Sequence, residues 1–300
     1  MKQAVIVGDA LWDAVMSSPD APPALYPGGA GLNLTVGLSR FGMQAALAAR
    51  VGFDRNGARL RRYMREQGVE LIETPNNDFT DVVTSTRENG EPTYYFSPQL
   101  YRRRIHFGVK LKERVANAAV VASNSFPFAN PVQAAQLARL MAEAPGLTVL
   151  DPNPRPRLIR DVPAFRRGVE EVAGSVALVK MSSEDASILY PGGEAEAIAS
   201  MFARGVKAIV FTRGEHGASV FGRDGLRADV GIASGDGPVI DTMGAGDATL
   251  ASIVSTIAFD GFPQDAGDWR MLLQRAMRVA AATCRSHGGE IVVPDKGAAA

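Results

Sequence analysis

The sequence predicts an α/β fold in which helices cover both faces of a mostly parallel sheet, a three-layer α/β/α sandwich. Short apolar runs alternate along the chain with helical stretches, which is the pattern of parallel strands joined by crossover helices. One segment breaks this rhythm, because two β-rich runs flank Asn89-Gly90, a pair typical of a tight hairpin. The 300 residues are 46% hydrophobic and 21% charged, which suits a globular chain with a sizeable core. We therefore expect a single domain over residues 1–300 that carries a small β-sheet lid.

The first strands and helices of the sandwich are predicted near the N-terminus. Residues 4–7 form an apolar run that ends at Gly8-Asp9, as a buried strand followed by a turn does. In residues 32–41 the apolar side chains recur at about helical spacing, and Gly42 follows where a helix C-cap is expected. The next strand and helix are expected at residues 45–51 and 60–67.

The lid is predicted from the hairpin signal. Residues 81–87 and 92–96 are the two β-rich runs around the Asn-Gly pair. We expect a lid formed by residues 14–27 and 81–106, inserted in the large domain.

The strand–helix alternation returns in the second half of the chain. Strands are expected at residues 119–122, 147–150, 177–180 and 208–212, with helices between them. A last apolar stripe at helical spacing follows residue 247 and comprises Leu250, Ile253, Val254 and Ile257.

Charge and cysteine content exclude several classes of protein. The 32 Lys and Arg residues are balanced by 32 Asp and Glu residues, so the chain lacks the basic excess that favours nucleic acids or anionic membranes. Cys284 is the sole cysteine, which excludes a disulfide-stabilised secreted scaffold. The apolar run at residues 4–7 is shorter than the roughly 7–15 residues of a signal peptide or the roughly 18 of a membrane span. We expect a cytoplasmic protein that binds neither nucleic acid nor membrane.

A glycine motif in residues 239–250 is the most informative segment. The apolar pair Val239-Ile240 leads into Asp241-Thr242-Met243-Gly244-Ala245-Gly246-Asp247 and then into a helix. Glycines allow backbone N–H groups to approach a ligand, and the positive end of a helix dipole completes an anion site. In the first helical turn Asp247 could accept a proton from a hydroxyl that attacks a bound phosphate. Taken alone, the motif is more typical of a strand–helix turn with a favourable first-turn carboxylate.

Two further polar candidates lie far upstream. Gly28-Gly29 precede a helix that carries Asn33, whose amide can both donate to and accept from a hydroxylated ligand. Asp13 follows the first strand, and ligands of open α/β sheets bind beyond the carboxyl ends of strands. The alternative for the glycine segment is a flexible loop before a helix, and the alternative for Asp13 is an ordinary carboxylate in a turn after a strand.

With these segments in order, the chain resembles the ribokinase-type (PfkB) carbohydrate kinase family over nearly its whole length. The two glycine segments match the two family signatures, the second of them as DTxGAGD. Four intervening segments resemble the family motifs VGxDxxG, xGV, DxNxR and TxGxxG, and they are residues 51–57, 67–69, 151–155 and 212–217. The resemblance implies a ribokinase-like fold and transfer of phosphate from ATP to a sugar.

The resemblance also implies a role for each matching position. Asp247 would be the catalytic base, and Gly244, Ala245 and Gly246 would form an anion hole for the transferred phosphoryl group. The sugar would contact Asp13, Gly29, Asn33, Asn153 and Arg155. The nucleotide would be bordered by Thr212, Gly214, Gly217, Lys180 and Ser182. The family implies Mg²⁺ as a cofactor, leaves a monovalent cation open, and implies a homodimer formed through the lid.

The sequence departs from the family pattern where many relatives carry N-x-x-E. The matching residues here are Ser182 in place of Asn and Asp185 in place of Glu. Asp185 and the neighbouring Glu184 are the candidate metal ligands, and the sequence does not decide between them.

A second departure is the run Arg102-Arg103-Arg104 directly after the hairpin. An arginine fork binds carboxylate or phosphate, so this run admits an anionic substrate, with a solvated basic face as the alternative. The overall pattern favours a fructokinase-like enzyme acting on a ketose. The alternatives are a 2-keto-3-deoxygluconate or other sugar-acid kinase, and a weakly active sugar- or nucleotide-binding sensor.

Overall fold

The computed structural model describes residues 1–16, 22–88, 91–235 and 237–294, and these form two sheets of unequal size. The large sheet has nine strands in the order β13-β12-β11-β10-β9-β8-β1-β4-β5. These strands are β1 (Gln3–Gly8), β4 (Gln44–Ala49), β5 (Val69–Glu73), β8 (Val120–Asn124), β9 (Leu147–Asp151), β10 (Leu178–Ser182), β11 (Ala208–Thr212), β12 (Ala218–Gly222) and β13 (Arg227–Val230). The small sheet has the order β3-β2-β6-β7 and comprises β2 (Leu11–Val15), β3 (Ala24–Gly28), β6 (Val82–Glu88) and β7 (Glu91–Phe96).

Seven strands of the large sheet are parallel, and β12 and β13 extend it antiparallel at one edge. The α helices are α1 (Ala30–Arg40), α2 (Arg55–Glu66), α3 (Val109–Ala116), α4 (Pro131–Ala142), α5 (Val162–Ala173), α6 (Ser183–Leu189), α7 (Gly193–Ala203), α8 (Ala245–Asp260) and α9 (Ala266–Thr283). The predicted α/β class with a mostly parallel sheet is confirmed.

The helices cover both faces of the large sheet, as alternation along its strands requires. On β1, Ala4 and Ile6 pack into a core shared with α1, α2, α8 and α9. The intervening Val5 and Val7 pack into a second core, which is shared with α3 to α7. These two cores are the two interfaces of a three-layer sandwich.

A buried ion-pair network joins the hairpin β6–β7 to the large sheet. Arg50, directly after β4, donates to Asp81 at 2.7 and 2.8 Å and to Asp78 at 2.6 Å. Ser97, at the other end of the hairpin, donates to the same Asp81 carboxylate. Both ends of the hairpin are therefore held at one point of the large sheet.

The structure corrects several expectations about local elements. Residues 69–73, 218–222 and 227–230 form strands that the sequence pattern did not single out. Asp13 lies inside β2 of the small sheet rather than in the turn after β1. Val239 and Ile240 belong to no strand and are exposed. The Asn89-Gly90 turn lies outside the described residues, although β6 and β7 on either side of it pair antiparallel.

No helix in the part of the chain that the structure describes is both long and apolar enough to cross a membrane.

Candidate functional site

Asp247 is held from both sides at the N-terminus of α8. It is the third residue of that helix and is buried. Asn33 on α1 donates to its Oδ2 at 3.0 Å, and Asn124 at the end of β8 donates to its Oδ1 at 2.9 Å. Burial raises the pKa of Asp247, while these amides and the charge of Lys180 oppose the rise. The carboxylate is thus fixed in orientation, with both oxygens accepting hydrogen bonds.

The first turn of α8 begins with a glycine in a conformation that side chains disfavour. Gly244 is the N-cap with φ 78°, and a Cβ there would lie 2.6 Å from the Gly289 carbonyl oxygen. No side chain caps this helix, so it leaves amide donors for an anion. One of the three expected anion-hole residues has its amide engaged, because the Ala245 N–H donates to the Thr242 carbonyl at 3.3 Å.

A second carboxyl, Asp13, faces the same region from the small sheet. Burial raises its pKa from 3.8 to about 7, the charge of Asp9 adds to the rise, and the charge of Arg155 opposes it. Gly28 packs against this carboxyl, since a Cβ there would lie 1.9 Å from Asp13 Oδ2. The side-chain carboxyl of Asp13 accepts no hydrogen bond from any of the described residues, so it is available to a ligand.

The DxNxR segment reaches the cluster through Asn153. This residue has φ 42° and donates to Asn124 Oδ1 at 3.2 Å, so a chain of amides links it to Asp247. Arg155 is exposed and forms no ion pair within the described ranges. Its charge acts on both Asp13 and Asp247.

Asp9 organises the glycine loop that precedes α1. It accepts from the Gly31 N–H at 3.0 Å and from the Ser125 hydroxyl at 2.9 Å, and it pairs with Arg103 at 3.2 Å. Gly29, with φ 98°, would bring a Cβ to 3.1 Å from the Asp9 carbonyl oxygen. The close packing of β1 against this loop positions Asn33 one turn into the helix.

The three consecutive arginines at residues 102–104 do not form a single basic face, and they do not form a group of unpaired guanidinium groups that could bind an anion together. Arg103 is largely buried against Asp9, while Arg102 and Arg104 are exposed. Arg102 pairs with Asp78 at 3.2 Å. Of the two interpretations of this run, the solvated basic face fits the exposed Arg102 and Arg104 and is wrong for Arg103.

Ser182 and Asp185, which stand where many relatives carry N-x-x-E, form the N-terminal cap of α6. Ser182 accepts from the Asp185 N–H at 3.0 Å, and the Asp185 carboxylate accepts from the Ser182 N–H at 2.8 Å. Glu184 is exposed, and the described residues offer it no ion pair. No group of three or more His, Cys, Asp or Glu side chains in the described ranges could hold a metal ion.

The expected nucleotide residues lie beside this cap. Thr212 ends β11 in register with Ser182, and Gly214 begins a 3₁₀ turn that ends before Gly217. A Cβ on Gly217 would lie 2.1 Å from the Val230 carbonyl oxygen. Residues 230–234 and α9 border an open cleft of about 440 Å³ next to that glycine.

Comparison with known proteins places this geometry in a family. The model of the pfkB family carbohydrate kinases matches residues 1–296. This chain is a pfkB family carbohydrate kinase. It is therefore a phosphotransferase.

This kinase is similar to fructokinases from several bacteria. It is 27% identical to a fructokinase from Rhizobium leguminosarum bv. trifolii, over 79% of this chain and 73% of the relative. It is 23% identical to a fructokinase from Escherichia coli, over 96% of this chain and 95% of the relative. Its fold superposes with a TM-score of 0.80 on a fructokinase double mutant from Vibrio cholerae O395 in its fructose-, ADP- and potassium-bound form, with 20% identity and coverage of 99% and 97%. The predicted family and ribokinase-like α/β fold are thus confirmed.

Sequence reasoning missed Asn124, although this kinase uses it to hold the catalytic candidate. Asn124 is buried at the carboxyl end of β8 and contacts both Asp247 and Asn153. A polar run, Ser123-Asn124-Ser125, at the end of an apolar strand was the available signal, because ligands of parallel sheets bind at that edge.

Proposed function

We propose that this kinase transfers the γ-phosphoryl group of ATP to a hydroxyl of a ketose or related sugar, as a fructokinase does. The observation that carries the proposal is the buried Asp247 carboxylate at the N-terminus of α8, with one amide donor on each oxygen. A fixed carboxylate next to an uncapped helix N-terminus can accept a proton while the helix end holds an anion. The fructokinase relatives support a ketose as the acceptor.

In this mechanism Asp247 is the general base. The attacking sugar hydroxyl donates its proton to the carboxylate as its oxygen bonds to phosphorus. Asn33 and Asn124 orient the carboxylate, and the first-turn backbone of Gly244, Ala245 and Gly246 faces the transferred group. Phosphoryl transfer depends mainly on positioning and on charge stabilisation, and both are provided by fixed groups here.

The sugar is proposed to bind between the small sheet and the ends of the large-sheet strands. Asp13 would accept hydrogen bonds from sugar hydroxyls, with Asn33, Asn153 and Gly29 bordering the same space. The small sheet, with residues 97–106, is proposed to act as the lid.

The nucleotide is proposed to lie along the ends of β10 and β11. Thr212, Gly214 and Gly217 would border it, with Ser182 and Lys180 on the phosphate side. The cleft beside Gly217 would receive the base, because residues 230–234, which border it, begin at the end of β13, at the same edge of the large sheet as the end of β11.

The residues near the phosphate side fit a magnesium ion that arrives with ATP. Magnesium in kinases is held by one or two carboxylates together with phosphate oxygens and waters, so a protein cage of three acids is not required. Asp185 is the proposed carboxylate, and Glu184 lies one residue away at the surface. When bound, Mg²⁺ supplies charge neutralisation at the phosphates.

A sugar acid is the second candidate substrate, and Arg155 is the observation that favours it. This exposed guanidinium lies within electrostatic range of Asp13 and Asp247 without an ion pair in the described residues. Replacing it by Ala should raise the KM for a sugar acid and leave the KM for fructose unchanged. Arg167→Ala, which removes an exposed guanidinium on α5, is the matched control.

The experiment that tests the proposed function is an ADP-release screen over ketoses, aldoses, sugar acids, sugar phosphates and nucleosides. Turnover of a ketose in the presence of Mg²⁺ would support the fructokinase-like assignment. Assays in potassium and in choline chloride would test a monovalent cation, which the potassium-bound fructokinase suggests. Retained ATP or sugar binding without turnover of any acceptor would favour a sensor instead.

We further propose that the kinase acts in the cytoplasm as a homodimer formed through the small sheet. Balanced charge gives no general affinity for nucleic acid or membranes, and a single cysteine suits a reducing compartment.

A further inference from the structure

The ammonium of Lys180 is buried between carboxylates and the first turn of α8. Its Nζ lies 2.9 Å from Asp151 Oδ2, and Asp185 and Asp247 also attract its charge. A Cβ on Gly246 would lie only 3.0 Å from this Nζ. Lys180 therefore lies directly beside the expected anion hole, at a distance that a side chain at position 246 would obstruct.

A phosphoryl group at this helix end would otherwise meet a surplus of negative charge. The charges of Asp151, Asp185 and Asp247 all reach the neighbouring Lys180, whereas a helix N-terminus provides the equivalent of about half a positive charge. A positive charge fixed in the chain would add to that of the Mg²⁺ arriving with ATP and would help an anion and an ionised Asp247 to occupy neighbouring places. Lys180 is a cation that adjoins both.

Asp151 provides an independent observation for the same role. Its side chain is fully buried, and its Oδ1 has no hydrogen-bond partner among the described residues. A buried carboxylate with one unsatisfied oxygen is costly and calls for a specific reason. Its other oxygen holds Lys180, so tethering the lysine is a reason that the geometry offers.

We propose that Lys180, tethered by Asp151, is a positioning residue that allows the transferred phosphoryl group to lie next to the ionised Asp247. The inference rests on the proposed function and adds a residue role to it. In the reaction, the sugar oxygen bonds to the γ-phosphorus as its proton passes to Asp247. The bond to the bridging oxygen breaks, and ADP leaves with the electron pair. Lys180 keeps its proton throughout.

Lys180→Met is the direct test, read first by calorimetric binding of ATP and ADP with Mg²⁺. The affinity for ATP should fall at least tenfold, while the affinity for ADP should stay within about twofold, because the charge acts at the transferred group. With the sugar that the screen identifies, kcat should fall about 10²-fold, the effect of losing one charge-stabilising donor, at unchanged sugar KM.

If the ion pair serves only to stabilise the fold, removing both of its partners should restore the wild-type kcat. Removing one partner leaves a buried unpaired charge, whereas removing both is often close to neutral for stability. On our proposal the double variant Lys180→Met/Asp151→Asn should therefore fold well and keep the roughly 10²-fold lower kcat of Lys180→Met. The matched control is Lys207→Met, which removes an exposed lysine just before the neighbouring strand β11.

Four results would decide against the inference. It is overturned if Lys180→Met weakens ATP and ADP equally, or if the double variant recovers wild-type kcat. If the wild-type chain binds neither nucleotide, the proposed function itself fails and the inference falls with it. If the wild-type chain is active and Lys180→Met has the same nucleotide affinities and the same kcat, the inference is overturned while the proposed function stands.

Discussion

At the scale of single residues, Asp247 makes the sharpest prediction. Asp247→Asn keeps the size of the side chain but removes the base, so kcat should fall by about 10²–10⁴, the usual range for a general base. ATP binding should be retained, because the backbone of the first turn is unchanged. Steady-state kinetics and calorimetry would measure both. Asp260→Asn, at the exposed far end of the same helix, is the control, and near-wild-type turnover of Asp247→Asn would refute the assignment.

Asp13 makes a second residue-scale prediction, on stability against pH. Its pKa is about 7 in the folded chain against an ordinary 3.8, so the unfolded chain releases this proton first as pH rises. Ionisation of Asp13 therefore does not change the free energy of unfolding below about pH 4. It lowers that free energy progressively between pH 4 and 7, and by on the order of 4 kcal/mol at most above pH 7. Asp13→Asn should raise the free energy of unfolding at pH 8 and leave it almost unchanged at pH 4. Urea unfolding at both pH values would measure this, and an equal effect at both would contradict it.

At the scale of elements, the two ends of α8 offer a matched pair of glycines. Gly244 and Gly261 both have positive φ, but a Cβ would clash with the Gly289 backbone only at Gly244 and would meet open space at Gly261. Gly261→Ala should cost about 1 kcal/mol of stability and leave activity intact, because only the backbone conformation is strained. Gly244→Ala should cost clearly more and should lower kcat, since the helix start must move. Equal stability losses with equal activity would show that the start of α8 does not depend on close packing.

The elements also show what local pattern can and cannot predict. Strands such as β1 and β11 are continuous apolar runs, because both faces of a parallel sheet are buried, and such runs are visible in a sequence. The strand β13 has only four residues and a charged, partly exposed face at the sheet edge, so it carries no comparable signal. Asp13 was placed in a turn because it is a charged residue at the centre of β2, and only two residues separate β2 from the Gly8 that ends β1.

At the scale of the whole molecule, the site exists only because distant segments converge. Asp247 lies 214 positions from Asn33 and 123 positions from Asn124, yet it accepts a hydrogen bond from each. The signature motifs predicted Asp247 and Asn33, since each is marked by glycines next to it. The family resemblance marked Lys180 and the segment that begins at Asp151, but it predicted neither their contact nor the role of Asn124, because both arise from adjacent strand ends in the folded sheet.

The small sheet makes the final prediction, which concerns assembly. Its outermost strands β3 and β7 have no further strand beside them in the described chain, and Tyr95 on β7 is 53% exposed. An edge strand with an exposed aromatic side chain is suited to contact with a second copy. We expect the protein to sediment at about twice the 31.8 kDa of one chain, and Tyr95→Glu to shift it towards the monomer. Met271→Glu, at an exposed apolar residue on α9, should leave the mass unchanged. A wild-type monomer at micromolar concentration, or a Tyr95→Glu variant that still sediments as the dimer, would exclude assembly through this sheet.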